Sequence, residues 1–248
     1  MQAQPLSQTT LSSLPKNISV PGYDRQALQS GIVHVGVGGF HRSHQAFYTE
    51  NYLNQTQDLR WGICGIGLRE ADRAIQQKLA EQDFLYSLLV KHPNGQTNVQ
   101  VIGCMTDFLL APDDPEAVIN QMAADETKIV SLTITEGGYN CDPSTGEFDL
   151  ANPDVQHDIA NPDKPRLIFG YLAAALQRRR AAGKTPFTIQ SCDNVQHNGD
   201  VTRKMLVSYI NAYDSEFAQW VNESVRFPNA MVDRITPATT EGDISLAE

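Results

Sequence analysis

Short β-branched runs alternate along this chain with longer stretches of mixed polar and apolar residues at helical spacing. Ile32-Val-His-Val predicts a strand over 32–36, followed by a glycine turn and a helix over about 43–54. The apolar run Trp61–Leu68 fits a buried parallel strand, and a polar helix follows over about 71–82. Strand-like runs at 84–90 and 97–103 flank Pro93-Asn94-Gly95, and Asn-Gly between two such runs is a strong hairpin signal. Pro115 opens a helix reaching about 124, and Lys128–Thr135 is again strand-like. A helix over 166–181 ends at Gly183, a strand covers 187–191, and helices follow at about 198–212 and 215–223. The stretch 137–165, rich in Gly, Pro, Asn and Asp, reads as a long surface excursion. Residues 1–30, broken by Pro5, Pro15 and Pro21, read as an irregular leader ahead of one domain over 31–248.

Strands alternating with helices predict an α/β fold: a doubly wound, mostly parallel sheet with one antiparallel hairpin. Such sheets bind ligands beyond the carboxyl ends of their strands. Five segments fall in that position: Gly36–His41, Leu68–Asp72, Thr135–Tyr139, Ser191–Asn194 and Val232–Arg234. Gly36 and Gly38 occupy the first two places of a G-x-G-x-x-G fingerprint, and His41 stands in the third. Glycines let the backbone approach a ligand closely, and the helix that follows aims free N–H groups and its positive end at a pyrophosphate. An ordinary strand-to-helix turn would use the same residues.

Composition narrows the function classes. Among 248 residues, 19 are basic and 29 acidic, for a net charge of −10. Non-specific binding to nucleic acid or to an anionic membrane needs basic surface and is not expected. Apolar content of 41% is enough for a core at this length. The start of the chain lacks the basic-then-apolar pattern of a secretory signal, and no run approaches the ~18 apolar residues of a membrane span. Cys64, Cys104, Cys141 and Cys192 form no C-x-x-C pair. Free, mostly buried thiols in a reducing cytoplasm are the expectation.

Each strand-end segment admits a chemical and a plain reading. Asp72 or Glu70 could accept from the adenosine ribose hydroxyls, Arg69 could hold a 2′-phosphate, or Asp72 could simply cap the next helix. Thr135-Glu136-Gly-Gly-Tyr139 could pass beside a nicotinamide ribose or be a flexible turn. Asn194 could donate to a developing alkoxide, or Asp193 or Asn194 could make an Asx turn. Cys192 with His197 as base lacks the local signature of a cysteine nucleophile. His41 and His44 share a helix face, but zinc enzymes of the helix type need H-E-x-x-H, so no metal is expected. Arg178, Arg179 and Arg180 read as a solvated helix end.

Taken together, Gly36-Val-Gly-Gly-Phe-His-Arg-Ser-His44, Ser131-Leu-Thr-Ile-Thr-Glu-Gly-Gly-Tyr139, Ser191-Cys-Asp-Asn194 and Phe227-Pro-Asn-Ala-Met-Val-Asp-Arg-Ile-Thr-Pro237 resemble the mannitol dehydrogenase family of polyol-specific long-chain dehydrogenases, from about residue 16 onward. The resemblance implies a Rossmann-type domain and zinc-independent hydride transfer between NAD and a polyol or ketose, D-mannitol and D-fructose first. Fructuronate reductase, arabinitol dehydrogenase and a non-catalytic dinucleotide-binding module are the alternatives. By the same resemblance Gly36, Gly38, Gly39, Phe40, His41 and Arg42 hold the pyrophosphate, and Asp72 selects NAD. Thr135, Glu136 and Val232 line the cofactor, Asn194 holds the reacting oxygen, and Asp233 lies at the nicotinamide end. The family's general base is a lysine on a helical C-terminal domain, expected beyond residue 248, so the chain alone is expected to be inactive.

Overall fold

The computed structural model describes residues 5–247. β1 (Ile32–Val35) leads into α1 (Gly39–Ser43) and α2 (Gln45–Thr56), and β2 (Ile63–Gly67) into α3 (Arg73–Ala80). A hairpin of β3 (Tyr86–Lys91) and β4 (Thr97–Ile102) precedes β5 (Met105–Leu110), α4 (Pro115–Ala123) and β6 (Ile129–Leu132). Then come α5 (Pro153–Ala160), α6 (Ile168–Ala181), β7 (Thr188–Ser191), α7 (Asn198–Asn211), α8 (Ser215–Ser224) and α9 (Glu241–Ala247).

Five strands form one sheet in the order β5-β2-β1-β6-β7, every neighbouring pair parallel. β1 is central and in register with both neighbours, Ile32 lying opposite Ile63 and Ile129. All residues of β1 and β2 are buried, which is why both read as continuous apolar runs and not as alternating ones. From β1 the chain winds outward through β2 to β5, then returns to β6 and winds the other way to β7. The winding reverses between β1 and β6, and a crevice opens beyond the carboxyl ends at such a switch point. This is the Rossmann-type arrangement.

One large core packs α4, α6, α7 and α8 against the sheet, with Phe169, Tyr171, Leu172 and Leu176 of α6 at its centre. Two smaller cores lie under α2 and α3. Residues 5–30 join one of them through Tyr23. Tyr23 donates its hydroxyl to the buried Glu50 carboxylate of α2 (2.5 Å), which also accepts from Gly103 N (2.8 Å) and Asn54 Nδ2 (2.9 Å). Burial raises the Glu50 pKa, and these three donors lower it again. Where Asp114 and Pro115 begin α4, the Asp114 carboxylate accepts from Ala117 N at 2.9 Å, as an N-cap followed by proline should.

The expected hairpin is present as a two-stranded antiparallel sheet apart from the five parallel strands, with Ser19 bridged to Gln100 of β4. Several other expectations need correction. The sheet's outer strand β5 was not anticipated; Met-Thr-Asp-Phe-Leu-Leu shows no clean alternation because it is an edge strand with one face partly open. The helix expected over 43–54 starts at Gly39 and breaks at His44, whose φ of −112° and ψ of −89° lie outside the helical region. The stretch 137–165 is not simply a surface excursion: it contains α5 and sends Tyr139, Phe148 and Val155 into the main core. Asp158 within it is fully buried, accepting from Arg166 N and Leu167 N at 2.8 Å each. The arginine triplet is not uniformly solvated either. Arg179 is 3% exposed and donates to Thr127 O, while Arg178 pairs with Glu116 and Arg180 with Glu216. Of the four free cysteines, Cys64, Cys104 and Cys192 are buried and Cys141 is exposed. Among the described residues no helix is long and apolar enough to cross a membrane, and no cluster of His, Cys, Asp and Glu could hold a metal.

Candidate functional site

At the end of the central strand Gly36 has a φ of +93°, a region that L side chains rarely adopt. A Cβ there would lie 2.1 Å from Thr133 O, inside any van der Waals limit. The turn therefore presses against β6 across the switch point, and only glycine fits. Gly38 and Gly39 are exposed, and α1 begins immediately, so its first N–H groups point outward without intrahelical acceptors. Phe40 is half-buried against His44, with ring centroids 4.9 Å apart. Arg42 is half-buried against the glycine turn: its guanidinium donates to Val37 O (3.3 Å) and its carbonyl accepts from Tyr86 Oη (2.6 Å).

Beneath the turn lies a buried polar cluster that the sequence pattern did not reveal. His34 on β1 and His41 on α1 stack with ring centroids 3.5 Å apart and planes 13° from parallel. His34 Nδ1 is 2.8 Å from Ser131 Oγ, and Nε2 is 3.0 Å from Thr133 Oγ1. Ser131 Oγ in turn donates to Gln45 Oε1 (2.8 Å). Neither ring nitrogen of His41 has a hydrogen-bond partner among the described residues. Burial pushes the His34 pKa down to about 3. It pushes that of His41 well below its usual value, with His34 and Arg42 adding in the same direction. Both imidazoles are thus neutral, and the His41 ring is part of the core.

The segment after β2 holds itself together. Asp72 accepts from Arg69 N (3.0 Å) and its carboxylate lies 3.5 Å from the Arg69 guanidinium, while Glu70 pairs with Arg73. Asp72 thus closes the short turn that precedes α3, makes no side-chain cap to α3 itself, and stays partly exposed at the strand end, where a ribose could still reach it.

The loops after β6 and β7 are bound to each other by Asp193. Its carboxylate accepts from Ile134 N (3.2 Å), Thr135 N (2.9 Å) and Tyr139 Oη (2.8 Å). These contacts hold Thr135 at a φ of +60°, a strained conformation for a β-branched residue. Asp193 is therefore a tie between loops and not an Asx turn, and it leaves Asn194 exposed beside Thr135 and Glu136 on the same rim. Cys192 is buried, and burial pushes its thiol up to about 12, so it supplies no thiolate. His197 is exposed, 4.0 Å from Asp200.

From Phe227 the chain runs without regular structure back across these strand ends. Val232 is half-buried and Asp233 exposed. The Arg234 guanidinium sits 4.4 Å from the Phe47 ring centroid, and Thr236 Oγ1 lies 2.7 Å from Ser43 Oγ. The structure thus gathers the glycine turn, the Thr135 and Asn194 loops and the Val232–Asp233 segment along one edge of the sheet. Asp72 lies at the β2 end of that edge. Asp193, Asn198, Ser43 and Thr236 complete it and were not among the expected site residues. Asp193 and Asn198 stand inside or beside the Ser191–Asn194 motif, which was the available signal; nothing in the sequence pointed to a Ser43–Thr236 contact.

A parallel sheet whose central strand ends in a forced glycine turn at the switch point defines a dinucleotide-binding domain of the Rossmann class. The chain belongs to the mannitol dehydrogenase family: residues 30–246 match its Rossmann domain. It is 48% identical over 237 residues to the polyol:NADP oxidoreductase of Gluconobacter oxydans, covering 95% of this chain and 48% of that protein. It is 48% identical over 245 residues to the mannitol 2-dehydrogenase of Pyrenophora tritici-repentis, covering 98% and 43%. Among solved structures it is similar to Pseudomonas fluorescens mannitol 2-dehydrogenase in ternary complex with NAD and D-mannitol, with a TM-score of 0.93 and 47% identity over 96% of this chain and 49% of that one. A substrate-free D-sorbitol dehydrogenase matches with a TM-score of 0.93 and 45% identity. The chain spans about half the length of the curated relatives it matches.

Proposed function

We propose that these residues form the cofactor-binding half of an NAD-dependent polyol dehydrogenase that interconverts a polyol and a ketose, D-mannitol and D-fructose first. The observation that carries the reading is the Gly36 turn, pressed so closely on Thr133 that no Cβ fits, with exposed Gly38 and Gly39 opening a helix beside it. The N–H groups of Gly39, Phe40 and His41 would hold the pyrophosphate. Asp72 would accept from the adenosine ribose. Thr135, Glu136 and Val232 would flank the other half, with the Asn194 amide donating to the oxygen whose carbon gives or takes the hydride. When bound, the nicotinamide supplies the hydride chemistry. Asp233 would orient the substrate. The lysine base that the family resemblance implies would belong to the half of the relatives that this chain does not match. Residues 1–248 alone are accordingly expected to bind cofactor and turn over no polyol, because general-base help of roughly 10²–10⁴-fold and substrate alignment are both missing.

The test is a fluorescence titration of residues 1–248 with NADH and NADPH, alongside Asp72→Ala. The expected result is tighter binding of NADH, with the preference narrowing in the variant because a carboxylate facing the 2′ position is gone. Equal affinity for the two cofactors in the parent chain would return Asp72 to a capping role alone. Robust oxidation of mannitol by these residues would place a base among them.

A further inference from the structure

We infer that Asn198 is a positioning residue that clasps the segment 228–236 over the nicotinamide half of the cleft; the inference rests on the dinucleotide reading above. Asn198 opens α7 and is 2% exposed. Its Nδ2 donates to Ala230 O (2.8 Å) and to Asp193 O (3.1 Å), and its Oδ1 accepts from Ala230 N (2.9 Å). One side-chain amide thus pairs with Ala230 as a neighbouring strand would, using both its donor and its acceptor. Asn229 adds a second hook: its Oδ1 accepts from Gly199 N (2.9 Å) and Asp200 N (3.2 Å). At Gly199 a Cβ would lie 2.5 Å from both Phe227 O and Pro228 O, so the segment lies directly on the α7 backbone.

Little else fixes this path near α7. Met231 is 95% exposed and Ile235 is 91% exposed, so the apolar side chains contribute almost no burial. The far end is held by Arg234 on Phe47 and Thr236 on Ser43, beside the glycine turn. Asn198 therefore sits at a joint. On one side Asp193 O fixes it to the loop carrying Asn194; on the other it sets where Val232 and Asp233 lie. β7 and α7 are on the opposite side of β1 from Asp72, so this segment spans the part of the crevice that takes the nicotinamide when the adenosine lies toward β2.

The experiment titrates residues 1–248, Asn198→Ala and Asn229→Ala with NADH, which occupies both halves of the cleft, and with ADP, which occupies only the adenosine and pyrophosphate half. Trypsin cleavage after Arg234 is followed in parallel. Both variants are expected to weaken NADH about tenfold, leave ADP within about twofold, and speed cleavage after Arg234. A purely structural role would weaken NADH and ADP together, and that result overturns the inference, as does unchanged NADH affinity. If Asn198→Ala does not fold, Asn229→Ala, altered on the exposed side, decides alone. A parent chain that binds ADP but not NADH also overturns the clasp. One that binds neither removes the dinucleotide reading itself, and the clasp with it.

Discussion

Gly36 concentrates the account at the scale of a single residue. Its φ of +93° and the 2.1 Å approach of a would-be Cβ to Thr133 O act together, so Gly36→Ala must both strain the backbone and part β1 from β6. A loss of about 1–3 kcal/mol from the backbone alone is expected, with NADH affinity lost as well. Urea denaturation of the variant checks this, and an unchanged midpoint would mean the turn relaxes freely. The stacked histidines predict a pH dependence. Their folded pKa values lie below the unfolded value of about 6.5, so the unfolded chain binds protons that the folded chain refuses. Their contribution is fully present above that value. It shrinks as pH falls toward about 3 in the case of His34, by up to about 1.4 kcal/mol per pH unit for each ring. Urea midpoints at pH 7.5 and 5 should differ, and less so in His41→Phe, which keeps a stacked ring without a titrating group. Gly36 was legible in the sequence because it ends a β-branched run at the first place of a glycine fingerprint. The His34–His41 stack was not, because it joins residues of two elements whose facing only the fold decides.

At the scale of elements, the ends of β6 and β7 are one unit because Asp193 joins them. Asp193→Ala leaves Ile134 N and Thr135 N without their acceptor and Tyr139 Oη with Ser191 Oγ alone. Hydrogen bonds to a charged group are worth roughly 1.5–3 kcal/mol each where the partner stays buried, so a destabilisation of about 2 kcal/mol or more is expected. Hydrogen exchange at Thr135 should accelerate ahead of the β6 core; exchange that rises evenly across the sheet would contradict a local tie. Elements with clear periodicity were legible: the buried runs of β1 and β2, the Asn-Gly hairpin and the proline-started α4. β5 escaped because an edge strand open on one side carries a mixed pattern. α5 escapes the pattern because its Asn152-Pro153 start sits in a stretch rich in Gly, Pro, Asn and Asp, although Asn152 Oδ1 accepts from Asp154 N (2.9 Å) as a helix cap does.

For the molecule as a whole, the sheet order and the glycine turn agree on one face. Strand-end segments separated by up to two hundred positions in sequence converge there, with the 228–236 segment laid across them. Motif order made most of that edge legible in the sequence, since four of the five motifs follow a predicted strand; Val232–Arg234 follows no strand and reaches the edge through an irregular segment. What sequence spacing did not convey was which side chains turn outward. The His41 ring is buried, Arg42 bonds the backbone of the glycine turn, Asp72 caps its own turn, and Gly38, Gly39, Thr135, Glu136, Asn194 and Asp233 stand open on the rim. The central claim is that this rim binds a nicotinamide dinucleotide. Hydrogen exchange of residues 1–248 with and without saturating NADH tests it most directly. The account predicts slowed exchange at 36–42, 133–136, 192–195 and 230–236, with residues 5–30 unaffected; protection confined to other surfaces, or none at saturation, would contradict it.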